Sequence, residues 1–530
     1  MVGAGVAGVA MTAVEAKEVH AESSFGNMEN AAGTSGGHAL SVRDFGATGD
    51  GKTIDSTAIN SAIDRAASSG GGTVFFPGGN YLCYSIHLKS NVSLYLDQGA
   101  IVIAADPPAA GQAGGYDHPE PKQAWEDYQD FGHNHWHDSL IWGEGLHDIS
   151  ILGPGRIWGR GLSKGYGPGP TSGNPGVANK AISLKLCHNV LLKDFQILHG
   201  GWFGILATGV DNLTIDGLTV DTNRDGMDID CCRNVRVSNC AVNSPWDDAI
   251  VPKSSFALGY ARSTENVLIT NCYVTGTYVE GTMLDGTWKL FDASEKIPRT
   301  GRIKLGTESN GGFKNIAITN CVFEGCSGLA LESEDGALLE DVTISNITMR
   351  DIATAPIFMR LGSRLRGPAG TQVGAVRRVL ISNIVCSNAS SELGSIISGV
   401  PGHPIEDVTL TNLYIQHRGG GTKEQAALVP PEKEAAYPDP AMFGPMPSQG
   451  FFIRHAKNIE ISNVRIVSMS QDERPSIVLQ DVDGADFSRI RTVEAASVPK
   501  FVLNDVSDFS VAQSKGVKDA TIEHTKHETL

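Results

Sequence analysis

No run of about 18 apolar residues occurs in this chain, which argues against a membrane-spanning helix. Basic residues are the minority, 42 Lys and Arg against 59 Asp and Glu, and the net charge of −17 disfavours a nucleic-acid partner. A phosphate-binding surface carries a basic bias. A polyanionic substrate would likewise need a local cluster of cations, because the global field repels it. The glycine-rich stretches have neither GxGxxG nor Walker spacing, so no nucleotide loop is expected. The nine cysteines are an odd number and form no CxxC metal pairs, and the sequence calls for no metal and no cofactor. The 62 glycines follow no collagen period and indicate many tight turns rather than long helices.

What the chain does contain is a repeat. A polar residue is followed by alternating apolar and polar positions in Asn91-Val-Ser-Leu, Asp148-Ile-Ser-Ile, Asn189-Val-Leu-Leu and Asn212-Leu-Thr-Ile. Asn234, Asn266, Asn315, Asp341, Arg378, Asp407 and Asn458 open further copies. The shortest spacings are about 22 residues, and longer ones are that unit plus an insertion. The alternation marks strands with one buried face, and the Asn or Asp suits a turn with left-handed geometry and side-chain bonds to the backbone. One such coil cannot bury its own inner face, so coils must stack. The leucine-rich pattern LxxLxLxxN is missing and a propeller blade needs about twice the length. The expected fold is all-β, a right-handed parallel β-helix. Cys240, Cys272 and Cys321 recur directly after Asn and are expected as stacked buried thiols, whereas adjacent Cys231 and Cys232 leave a local bridge or a turn open.

A short strand, a Gly-rich turn and an amphipathic helix from about Ser56 to Ala67 precede the first coil and are expected to cap it. This segment, VRDFGATGDGKTIDSTAINSAIDRAASSGGGTVFFPGGNYL from Val42, resembles the start of the pectate-lyase superfamily. The chain divides into a signal-like segment over 1–21, one β-helix over 38–510 and a tail over 511–530. Met1 to Ala21 resembles a signal peptide without its positive start, so a secreted or periplasmic protein, monomeric, is expected. Insertions at about Asp106–Asp138 and Arg418–Gln449 should project from one face. The second carries Tyr437, Phe443 and Met446, which stack on a ligand or simply pack the loop.

Chemistry concentrates in two adjacent coils, Asn223-Arg-Asp-Gly-Met-Asp-Ile-Asp230 and Pro245-Trp-Asp-Asp-Ala-Ile-Val-Pro-Lys-Ser254. Asp225 lies about one coil before Asp247 and Asp248, and stacked coils are about 4.8 Å apart. Three carboxylates that close repel one another, which raises at least one pKa toward that of a general acid. Glycoside hydrolysis needs such a division between a protonated and an ionised carboxyl. Asp228 and Asp230 are expected in a turn. Basic residues nearby are Lys253, Arg302, Lys304, Arg360, Arg364 and Arg366. Arg302 and Lys304 share one face of a strand placed one coil beyond the acid pair's neighbour, and these cations either meet a substrate carboxylate or pair with Asp225, Glu308, Glu332 or Glu334. His199, one turn before the Asp225 coil, flanks the site or is structural, and His135 and His137 are weaker candidates. Trp246 and Trp288 are stacking walls or core residues.

Asn223-Arg224-Asp225-Gly226 and Asp247-Asp248-Ala-Ile-Val-Pro-Lys253-Ser254 resemble glycoside hydrolase family 28, the polygalacturonases, and with the cap the likeness spans roughly Val42 to Ile466. The resemblance implies Asp247 as general acid, Asp225 and Asp248 holding a water, inversion at the anomeric carbon, and a pectic polysaccharide or oligosaccharide as partner. Asn223, Lys253, Arg302, Lys304, His199, Glu308 and Arg360 are the candidate substrate-binding residues. Two family marks are absent. Thr300 stands where a Gly-His-Gly histidine belongs, and Ala330 and Glu332 replace the two cations of Arg-Ile-Lys. An exo mode or a branched, rhamnogalacturonan-type substrate is therefore expected. The rival readings are a Ca²⁺-dependent pectate or rhamnogalacturonan lyase and a non-enzymatic carbohydrate-binding β-helix.

Overall fold

The computed structural model describes residues 39–109, 112–165, 171–287, 289–292, 294–492 and 498–530. The signal-like Met1–Ala21 and Trp288 lie outside them. The chain winds as a parallel β-helix. Strands of successive coils pair in register, so Val190 meets Leu213, Leu213 meets Val235, Val235 meets Val267, and Val267 meets Ile316. These side chains are at most 2% exposed. Alternation explains the column: position i points inward in every coil, and each buried aliphatic contributes about 1.5–3 kcal/mol.

All the repeat-opening residues named above have left-handed backbones, for example Asn91 at φ 63°, Asn266 at 57° and Arg378 at 54°. Asn and Asp tolerate that region better than other side-chain-bearing residues. Where a bond to the backbone was expected, the asparagine amides instead bond from coil to coil. Asn212 Nδ2 donates to Asn189 Oδ1 at 3.0 Å, Asn266 to Asn234 at 3.0 Å, and Asn315 to Asn266 at 2.8 Å. Cys240, Cys272 and Cys321 are buried and unbridged, as are all nine thiols. Cys231 sits at φ 55°, a turn that sends its thiol to Ser255 O at 3.3 Å while Cys232 enters the core.

The first coil is capped by the helix Ser56–Ser68, which buries Ile59, Ala62, Ile63 and Ala66, one stripe at helical spacing. At the other end the C-terminal segment adds a strand. Ala520–Thr529 is a strand antiparallel to Phe501–Ala512, and it covers an edge that would otherwise be open to pairing.

One face positions the chemistry. A six-stranded parallel sheet runs through Ile86–His87, Ile141–Glu144, Lys180–Lys185, Phe203–Thr208, Asp225–Asp230 and Ile250–Lys253. The bridge from Ile250 to Ile303 continues it into Lys304–Leu305, then Leu329–Ser333 and Ile357–Leu361. Both insertions pack on its outer side. From the first, Trp136 joins Trp202, Phe203 and Leu206 in an outer apolar cluster. From the second, Phe443 and Met446 pack with Ala330 and Phe358.

Candidate active site

Met227 pairs with Ile250, so two residues earlier Asp225 stands opposite Asp248, and Gly226 N–H donates to Asp248 O at 3.0 Å. Met227 and Ile229 point into the core, and simple alternation would send Asp225 there too. Gly226 instead lies tight against the next coil, where a Cβ would stand 2.4 Å from Ala249 O, and Asp225 meets Asp247 and Asp248. One carboxylate oxygen each of Asp225, Asp247 and Asp248 fall within 4.8 Å of one another.

The three carboxyls have different surroundings. Asp248, 1% exposed, accepts Arg302 Nε at 2.8 Å and is paired with Lys304 Nζ. Burial pushes its pKa up, but the Lys304 and Arg302 charges overcome that and hold it at about 2. Asp225 is 4% exposed, and its Oδ1 is buried with no hydrogen-bond partner among the described residues. Burial, then the Asp228 and Asp247 charges, push it well above the usual carboxylate range. The Asp247 side chain is 24% exposed and is gripped by Arg224, with Nη2 at 2.9 Å and Nε at 3.2 Å from Oδ2. The Arg224 guanidinium lies over the Trp202 ring, 4.6 Å from its centroid, which fixes its direction.

The structure gathers some of the sequence candidates and disperses others. Asn223 O accepts Trp246 N–H at 3.1 Å, and Trp246, 38% exposed, stands directly before the acid pair. Arg302 and Lys304 lie in the coil adjoining Ile250–Lys253, closer than their expected place beyond its neighbour, and both are spent on Asp248. Lys253 and Glu308 form a buried pair at 3.0 Å, the ion-pair alternative of the sequence reading. Burial opposes both charges, yet Glu308 with Asp228 raises the Lys253 pKa well above normal, and Lys253 keeps Glu308 well below. Arg360 is fully buried and anchors the second insertion, donating to Ser398 Oγ, Gly399 O and Glu432 O. Its place under the loop leaves no path to a ligand. Arg364 pairs with Asp335, and Arg366 N–H reaches the same carboxylate. Asp228 and Asp230 are corrected from a turn to buried strand positions, because Asp228 bonds His133 at 3.2 Å and Asp230 accepts Ser255 Oγ at 2.6 Å.

His199 is held at the rim. It accepts Trp158 Nε1 at 3.2 Å and lies 3.2 Å from Glu280, with burial lowering its pKa. Glu280 also pairs with Lys164 at 3.4 Å, and Lys164 O accepts Arg224 Nη1 at 3.4 Å. Thr300 adjoins Gly301, whose N–H donates to Asp247 O at 2.8 Å, so the threonine stands beside the acid pair. Of the second insertion's aromatics only Tyr437 is exposed, at 54%, and Lys304 Nζ is 6.0 Å from its ring. Arg224, Glu280 and Lys164 were missed as site residues. Arg224 alone left a signal, as an arginine in place of the threonine that the family segment carries.

This fold is that of a right-handed parallel β-helix protein. Residues 39–128 match the family profile "Rhamnogalacturonase A/epimerase, pectate lyase-like", and residues 180–364 match "Right handed beta helix region". The chain is similar to a probable polygalacturonase of Vitis vinifera, 22% identical over 437 residues, across 78% of this chain and 81% of that one. Among solved structures it shares the fold of a family 28 exopolygalacturonase from Yersinia enterocolitica, with TM-score 0.57, 18% identity and coverage of 91% and 80%. It shares the fold equally with PfbA, a surface adhesin of Streptococcus pneumoniae, with TM-score 0.50, 18% identity and coverage of 93% and 98%. The fold alone thus does not separate an enzyme from an adhesin, and the residues must.

Proposed function

We propose that the protein is a glycoside hydrolase acting on galacturonate-containing pectic chains, from a chain end or on branched, rhamnogalacturonan-type substrates, with inversion. The observation that carries this is the trio Asp225, Asp247 and Asp248, one carboxyl driven toward protonation and one pinned ionised within 4.8 Å. A carbohydrate-binding surface has no need of that division, whereas acid–base catalysis depends on it. The lost family cations find a substitute in Arg224, the guanidinium nearest Asp247 and suited to a sugar carboxylate. Tyr437 of the second insertion lies near Lys304, and Glu280 is linked through Lys164 to Arg224, neighbours that favour an end-acting mode.

In the resting protein the proton sits on Asp225, whose burial and acidic neighbours favour its neutral form, while Arg224 bonds Asp247. A substrate carboxylate draws Arg224 away, and the proton passes from Asp225 to Asp247, the most exposed of the three. Asp247 then donates it to the leaving glycosidic oxygen. Ionised Asp225, beside Asp248, takes a proton from the attacking water, which restores the starting state. The oxygens lie closer than the roughly 6.5–9.5 Å usual between inverting carboxyls, and spacing alone would favour retention. Burial argues against retention, since Asp225 and Asp248 are 4% and 1% exposed and a covalent adduct needs direct access to the anomeric carbon.

Asp247→Asn should lower kcat on galacturonate oligosaccharides roughly a thousandfold while ligand affinity is kept. Proton NMR of the first-formed anomer reads the stereochemistry in the same assay. Full turnover by this variant would overturn the assignment of the acid. An unsaturated, UV-absorbing product that disappears in chelator would replace hydrolysis by Ca²⁺-dependent elimination.

A further inference from the structure

The first insertion brings a second chemical cluster onto the same sheet, away from the aspartate trio. Glu120, His137 and Glu144 place one ligand atom each within 4.8 Å of one another. His137 Nε2 is 2.9 Å from Glu144 Oε2 and 3.6 Å from Glu120 Oε1. The His137 ring is fixed by stacking on Trp142 at 3.9 Å between centroids, so its nitrogen is already aimed between the two carboxylates. Glu120 is oriented from behind by Trp136 N–H at 2.9 Å.

A second observation points the same way. His135 is 2% exposed, and neither ring nitrogen has a hydrogen-bond partner among the described residues. Its Nδ1 faces Glu120 Oε2 from 3.8 Å and its Nε2 faces Glu126 Oε1 from 3.7 Å, both beyond hydrogen-bond reach. A buried imidazole left without a bond is costly, and here one of its nitrogens backs Glu120. The cluster opens onto a surface cavity of about 430 Å³ lined by His87, Asp117, His137, Trp142 and Glu144, which leaves room for a water as a further ligand.

We propose that Glu120, His137 and Glu144 form a binding site for a divalent metal ion of the zinc class. One imidazole nitrogen with two carboxylates is a borderline donor set that suits zinc and neighbouring ions better than Ca²⁺, which takes six to eight oxygens. Glu120 and His137 belong to the insertion and Glu144 to the strand Ile141–Glu144, so the ion staples the insertion to the coil. Lys185, 3.0 Å from Glu144 Oε1, leaves the other oxygen of that carboxylate for the metal.

The experiment is calorimetric titration of ZnCl₂ into the full chain after chelator treatment and dialysis. One equivalent should bind with a micromolar or tighter dissociation constant. Glu144→Gln and His137→Ala should each weaken it at least tenfold, and Asp247→Asn should leave it unchanged. Circular dichroism confirms that each variant is folded. Glu144→Gln, which preserves size, carries the test if His137→Ala unfolds. No saturable binding, binding that survives both substitutions, or a preference for CaCl₂ would overturn the proposal.

Discussion

Arg224 is where the chain departs most usefully from the polygalacturonase pattern. A guanidinium that bonds Asp247 twice through Oδ2 and rests on Trp202 is directed by both partners. It stands where a sugar carboxylate beside the cleaved bond would compete for it. Arg302 and Lys304, the cations that resemble the missing family pair in sequence, are instead consumed in keeping Asp248 ionised. Charge-assisted bonds to a carboxylate contribute about 1.5–3 kcal/mol. Arg224→Gln should therefore raise KM for acid-terminated oligosaccharides roughly ten- to a hundredfold, with kcat changed far less. Steady-state kinetics on a galacturonate-terminated substrate and its reduced, neutral counterpart check this. An equal effect on both would show that Arg224 acts by positioning Asp247 and not by holding the substrate's charge.

At the scale of the coil, the asparagine ladder does two jobs that can be separated. Asn266 donates to Asn234, accepts from Asn315, and holds φ 57°. Alanine removes both bonds and keeps the strained backbone, at about 1–2 kcal/mol for the left-handed region alone. Glycine removes the bonds without the strain. Scanning calorimetry should find Asn266→Ala melting several degrees lower and Asn266→Gly falling roughly half as far. Equal losses would mean that only the bonds matter. This same ladder is why so much of the fold was legible in the sequence. Each coil repeats the Asn signal and the inward aliphatics, so stacking, register and the approach of Asp225 to Asp248 followed from spacing. Other features were not legible because they depend on contacts between distant segments. Arg360 reads as a surface cation until the second insertion is seen to bury it, and Asp228 reads as a turn residue until His133 arrives from the first insertion to bond it. The close approach at Gly226 carries only a single glycine as its sign, one among 62.

The whole molecule carries −17 against a substrate proposed to be anionic. The cations nearest the acid trio are internally paired, Arg224 with Asp247 and Lys164 with Glu280 included, so the net negative charge sets the long-range field. Electrostatic repulsion slows encounter and is screened by salt, with the Debye length shrinking from about 30 Å at 0.01 M to about 8 Å at 0.15 M. Across that range kcat/KM on galacturonate oligomers should rise several-fold, and the rise should grow with oligomer length, because a longer chain runs past more of the acidic surface. A substrate of equal length with its carboxyls esterified should show no such slope. If kcat/KM fell with salt instead, the local cations would outweigh the global field, and the site would have to draw on basic residues beyond Arg224 and Lys164.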